Sequence, residues 1–263
     1  WTSGDHTCYH LQLRADRLKP VLELEADRFT RLALTDDAVR RESGAVAGEH
    51  RKALSDPESA LYKALWARAF ETHTYHHTTI GLDEDVAAMA DGLPVIERFL
   101  DAWYRPETAT VVIAGDIAPE SAIAAVASAF SGWESADVEP PPPIPPEPDQ
   151  RSERRQMVDW DGSPTPARLA IGWKTPAFVP GEDDAAAWML LHSLLTGRAS
   201  PLQRRLIEDE DALAWSMWST APDTVDPGLM SVVVELKDGI APADVEAMVY
   251  EEVAALGETT PAQ

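Results

Sequence analysis

"RRESGAVAGEH", residues 40–50, places two carboxylates, Glu42 and Glu49, seven positions apart in a stretch of helical character. Seven residues of α-helix turn roughly 700°, about 20° short of two full turns, so the two acids point the same way about 10 Å apart. The helix carrying them is expected to begin at Thr35, an N-cap residue followed by Asp36 and Asp37, whose carboxylates oppose the positive end of the helix dipole. It should run to about Leu54. From the residues alone two readings stand. Glu42 and Glu49 are solvated acids pairing weakly with Arg40, Arg41 and Arg51, or they are presented together to one ligand.

Outward from this helix the chain alternates helices with short apolar runs. Thr7, Tyr9, Leu11 and Leu13 alternate as a strand would, and helical spacing follows from about Leu18 to Leu32. A helix is expected from Pro57 to Phe70, ending near "HTYHHTTIG", then shorter ones over 83–90 and 93–104. "TATVVIAGDI", residues 108–117, reads as a buried strand, followed by a helix from Pro119 to Phe130. Residues 133–150, "WESADVEPPPPIPPEPDQ", cannot continue a helix or a central strand, because successive prolines lack donors and fix φ. They mark an extended linker between domains at 1–132 and 151–263. Beyond it, strands are expected over 154–160, 167–173, 212–219 and 229–236, with helices over 182–196, 201–208 and 242–256.

With 45 acidic against 22 basic residues the formal charge is -23, which repels nucleic-acid phosphates and anionic lipid headgroups. No apolar run is long enough for a membrane span and no signal-peptide pattern opens the chain. The expectation is therefore a soluble protein without nucleic-acid or membrane partners. The single cysteine, Cys8, excludes an intrachain disulfide.

Five segments in order resemble one family, the pitrilysin/insulinase zinc peptidases with their processing-peptidase branch. "WTSGDHTCYH" is similar through Thr2, Asp5, Thr7 and Tyr9 to the strand before the family's glutamate helix. Glu42, Val46 and Glu49 fit the pattern Glu-Arg-x-x-Val-x-x-Glu, with Ser43 where Arg is usual. "ETHTYHHTTIG" and "WYRPETATVVIAGDI" match a downstream loop and strand, and "LLTGRASPLQRRLIEDEDALAWSMWS" matches a segment of the second domain. The resemblance implies two related α/β domains, each a mostly antiparallel sheet flanked by helices, in an α+β clamshell half. It implies a Zn²⁺ held by two histidines of H-x-x-E-H and a later glutamate, with the Glu of that motif as general base. Carried over, Glu49 is the metal ligand and Glu42 an acid that supports a ligand's orientation. Thr2 and Ser3, and more weakly Arg204 and Arg205, are candidate substrate contacts.

None of the seven histidines lies in H-x-x-E-H or H-E-x-x-H. By resemblance that motif precedes Trp1, so the chain is expected to be an excerpt, incomplete at both ends and inactive alone. His73, His76 and His77 match a loop outside the family's metal site, and His50, about 100° from Glu49 around the helix, is expected at the surface. Trp215 stands where the family has Tyr, and Pro201 where Arg is common, which weakens peptide binding by the second domain. No Gly-rich phosphate loop or G-x-S-x-G elbow is present. The expected function is zinc-dependent endopeptidase action on peptides; the alternative is a non-catalytic family subunit acting as scaffold or peptide-binding partner. Expected partners are a peptide substrate and a second copy or related subunit, in a cytoplasmic or periplasmic setting of bacterial type.

Overall fold

A computed structural model describes residues 1–135, 137 and 142–258 of this chain. Its helices are α1 (Leu18–Thr30), α2 (Asp36–Leu54), α3 (Pro57–Ala69), α4 (Asp83–Ala88), α5 (Leu93–Trp103), α6 (Pro119–Ala129), α7 (Asp183–Thr196), α8 (Pro201–Gln203) and α9 (Pro242–Glu258). Strands β1 (Arg168–Lys174), β2 (Ala214–Thr220) and β3 (Leu229–Leu236) complete an α+β fold. Local chemistry accounts for the helix ends. The Thr35 hydroxyl accepts from Ala38 N at 3.2 Å before α2, and Asp56 Oδ2 accepts from Ser59 N at 2.8 Å before α3, with Pro57 at the first turn. No described helix is long and apolar enough to cross a membrane.

The described residues form two compact units that cut across sequence order. One takes Trp1, Thr7–His50 and Gly81–Pro143; the other takes Thr2–His6, Arg51–Ile80 and Ile144–Gln263. In the first, the aromatic side chain of Phe29 on α1 meets Tyr9, Tyr104, Phe130 and Trp133, gathering four distant stretches. The Tyr9 and Tyr104 hydroxyls lie 2.7 Å apart, and burial together with that contact pushes the Tyr104 phenol up to about 12.

The second unit is built on an antiparallel sheet of order β1-β3-β2, with Ile171 opposite Val232 and Trp218 opposite Val233. Alternation sorts the side chains. Met230, Val232, Val234 and Leu236 point into a core with Leu195 of α7, Leu202 of α8, Leu206, and Val245 and Val249 of α9. The opposite face receives α3. Gly172 of β1 comes so close that an added Cβ would lie 3.3 Å from Leu65, Trp218 lies beside Tyr62, and Phe70 and Tyr75 pack on Leu229. The central strand β3 is thus buried on both faces and is mostly apolar, its two polar residues being partnered: Ser231 with Thr220 at 2.7 Å and Glu235 with Arg168 at 3.1 Å.

Behind α3 the turn 74–76 is fixed by a polar network. His73 is 3% exposed; its Nδ1 accepts from Tyr75 N at 3.1 Å and its Nε2 lies 3.2 Å from Asp226 Oδ2. The Tyr75 hydroxyl donates to Asp5 Oδ1 and accepts from Asp226 N at 3.3 Å, while Asp5 Oδ2 accepts from Val225 N. Burial first, and then the bond to Asp5, raise the Tyr75 pKa, so the phenol remains a donor at ordinary pH. Tyr75→Phe is expected to cost about 1–3 kcal/mol, because it removes the bond to Asp5 and leaves the part-buried Asp226 N–H without its acceptor. Urea unfolding of the variant against the parent checks this.

Three expected strands, over 7–13, 108–117 and 154–160, form no ladder among the described residues. Their apolar pattern is present, but a strand requires a neighbour to take its backbone hydrogen bonds, and Val112 and Met157 stand 83% and 85% exposed. The helix expected over 201–208 is interrupted: α8 passes at Arg204–Glu208 into a wider π-helical turn. In the expected linker, residues 142–150 carry neither helix nor strand, and 136 and 138–141 lie outside the described residues.

Candidate functional site

The helix α2 has a buried face and an open one, and its sequence dictates which is which. Val39, Ser43 and His50 are buried, at spacings of four and seven residues that keep them on one side. Ser43 fits there because it is small and its hydroxyl is satisfied by Arg40 O at 2.9 Å. His50 is 9% exposed, with Nε2 placed 3.0 Å from Asp83 Oδ1 at the start of α4. The surface position expected for His50 is therefore corrected: its ring closes a polar contact to an element 33 residues away, and no local spacing signals that. Arg40 reaches Asp91 at 3.2 Å, so its charge is directed to the 83–91 segment rather than to either glutamate.

Glu42 and Glu49 are exposed, about a quarter-turn around the helix from that buried stripe. Neither has a hydrogen bond or ion pair to another described residue, in contrast to the arginine pairing that the sequence left open. Ala45, three residues beyond Glu42 and four before Glu49, is exposed between them, and a Cβ added at Gly48 would meet nothing within 4 Å. Ala45 and Val46 thus flank the line between the acids, Ala45 on the exposed side and the half-buried Val46 toward the packed side. His50–Asp83 and Arg40–Asp91 hold the other side of α2, which fixes the rotation of the helix and hence the direction of both carboxylates.

The remaining candidates occupy other surroundings. Ser3 Oγ accepts from Asp5 N and His6 N, both at 3.2 Å, and lies 3.1 Å from His6 Nδ1, so its hydroxyl organises the local turn. Thr2 is exposed. Arg204 and Arg205 are exposed on the π-helical turn, Arg205 lying 3.8 Å from Glu251. Trp215 is exposed, with Lys237 Nζ 5.4 Å from its ring centroid.

Two family models match the chain: Insulinase (Peptidase family M16) over residues 1–83, and Peptidase M16 inactive domain over residues 93–263. The chain belongs to peptidase family M16. Among M16 relatives, it is 30% identical to the zinc protease PqqE of Helicobacter pylori over 269 residues, which covers 100% of this chain and 59% of that protein. A solved protease from Helicobacter pylori superposes with a TM-score of 0.87 at 26% identity, over 95% of this chain and 59% of the other. A peptidase M16 inactive domain from Pseudomonas fluorescens, 18% identical, shares the fold with a TM-score of 0.75 over 95% of this chain and 58% of its own. The chain thus spans a little over half the length of the M16 proteins it matches.

Zinc in a peptidase needs three protein donors in fixed geometry and an open position. Among the described residues no group of three or more His, Cys, Asp or Glu side chains is placed to hold a metal ion. These residues by themselves do not fit a zinc site: Glu42 and Glu49 offer carboxylates from one helix only.

Proposed function

We propose that this chain is part of an M16 zinc-dependent endopeptidase, in which Glu49 is the carboxylate ligand of the metal and Glu42 orients a ligand beside it. What carries the reading is the pair itself, two exposed acids without a side-chain partner among the described residues, on a helix whose buried stripe is tethered to the 83–91 segment. The names of the relatives support zinc and proteolysis. The remaining donors and the general base would come from outside these 263 residues, and the chain alone is inactive.

In this reading the domains divide at the proline-rich segment 133–150, with residues 1–132 carrying the acid pair and 151–263 a homologous second domain. That domain packs the enclosure rather than supplying chemistry, in keeping with its match to an inactive-domain model and with exposed Trp215. Thr2 and Ser3 of the first domain and Arg204 and Arg205 of the second are the candidates for peptide contact. The substrate is an extended peptide, and a second copy or related subunit completes the chamber.

Purified full-length protein with Zn²⁺ is expected to cleave a quenched peptide, with loss of cleavage on chelation, whereas the 263-residue chain shows no turnover. Zinc-dependent turnover by the short chain would overturn the assignment of the missing donors. Full-length protein that takes up no zinc and cleaves nothing would replace the peptidase reading with that of a scaffold subunit.

A further inference from the structure

Where the proline-rich segment ends, one acid enters a site made of backbone. The Glu147 side chain is 7% exposed. Its Oε1 and Oε2 both accept from Glu71 N at 2.9 Å, and Oε2 also accepts from Thr72 N at 2.9 Å, His73 N at 3.1 Å and Thr72 Oγ1 at 3.2 Å. Three successive N–H groups converging on one anion form a nest, a concavity that selects negative charge through fixed partial charges. Lys174 of β1 adds a full one: its ammonium is 3.9 Å from Oε1 and 3.4 Å from the centroid of the Phe70 ring, buried and without a hydrogen-bond partner among the described residues. Burial lowers the Lys174 pKa and the Glu147 charge opposes that fall.

We propose that the turn 71–73 with Lys174 is a carboxylate-binding site occupied in cis by Glu147, and that this occupancy latches the exit of the proline-rich segment onto the sheet-bearing unit. The chain on either side of Glu147 follows the same surface. The Thr72 hydroxyl also lies 3.0 Å from Pro146 O, its one proton shared between that carbonyl and Glu147, and downstream Arg154 donates to Arg68 O and Ala69 O, both at 3.1 Å, and pairs with Glu71 at 2.7 Å. Arg154 thereby caps the carbonyl end of α3, where a cation is favoured. Proline carries the segment up to this point without donors of its own, so a carboxylate is the group that can fasten it.

Desolvation alone would raise the Glu147 carboxyl, but the N–H bonds from Thr72, His73 and Glu71, with Lys174, hold it down at about 2 against an ordinary 4.5. A depressed carboxyl contributes stability above its unfolded value and loses it only as pH falls through the folded one. The latch therefore stays closed across the neutral range. It opens when the charge is removed.

The test is trypsin digestion of the full-length protein, following cleavage after Arg151 and Arg154, both just C-terminal to Glu147. Glu147→Ala is expected to raise these rates roughly tenfold or more, since a buried cation and three N–H groups lose their partner. Formate at high concentration should slow the Glu147→Ala cleavage by refilling the nest, while equal chloride does not, and wild type should ignore both. Glu147→Gln, which keeps the shape and loses the charge, should fall between. If Glu147→Ala perturbs folding throughout, seen by circular dichroism, Glu147→Gln decides. Glu147→Gln cleaved at the wild-type rate, or formate and chloride acting alike on Glu147→Ala, overturns the proposal.

Discussion

Glu49→Gln in the full-length protein is expected to abolish stoichiometric zinc and, with it, peptide cleavage, by more than the roughly 10–100-fold that loss of an outer partner costs. Glu42→Gln should fall within that 10–100-fold range, because a residue that orients a ligand leaves the donor count intact. Neither substitution should change folding stability by more than about 0.5 kcal/mol, since both side chains are exposed and make no bond that the fold uses. Metal content by elemental analysis, steady-state cleavage and urea unfolding on the same preparations separate these effects. Equal and small losses for both variants would return the pair to ordinary surface acids. Loss of folding with loss of zinc would mean that the carboxylates hold the structure rather than the metal.

Leu206→Ala is expected to destabilise the sheet-bearing unit by about 2–5 kcal/mol, the range for removing a fully enclosed leucine when neighbours collapse only partly. Leu206 is 0% exposed and touches the cluster of Leu195, Leu202, Val232, Val245 and Val249, so the cavity would open where helices and sheet meet. Leu190→Ala on α7 is the control: that side chain is 63% exposed and should change stability by less than about 0.5 kcal/mol. Urea unfolding followed by tryptophan fluorescence reads both. Similar shifts for the two would mean that the core is not where the side chains place it.

Much of the local structure was legible because its causes are local. Helix α2 was expected from Thr35 to about Leu54 and occupies Asp36–Leu54, since an N-cap, first-turn acids and i→i+4 bonding all lie within the segment. Strand β3 was expected over 229–236 and occupies those residues, because a strand buried on both faces is rich in apolar β-branched residues, here Val232, Val233 and Val234. The same short-range geometry put Glu42 and Glu49 on one face. It could not say whether an arginine would cover them.

Spacing and composition were enough for the elements whose hydrogen bonds close within a few residues, for the common face of the acid pair and, through ordered motifs, for membership of peptidase family M16. The pairings between distant residues come from the packed chain alone. The runs at 108–117 and 154–160 have strand composition but no described neighbour, and pattern cannot supply the partner that a ladder needs. Helix α3 lies on the far face of a sheet formed a hundred residues later, where Gly172 leaves room for Leu65. His50 is buried through Asp83, and Glu147 is seated in the turn 71–73. In each case the free energy depends on which groups lose water together, and that is set by the packed chain rather than by spacing along it.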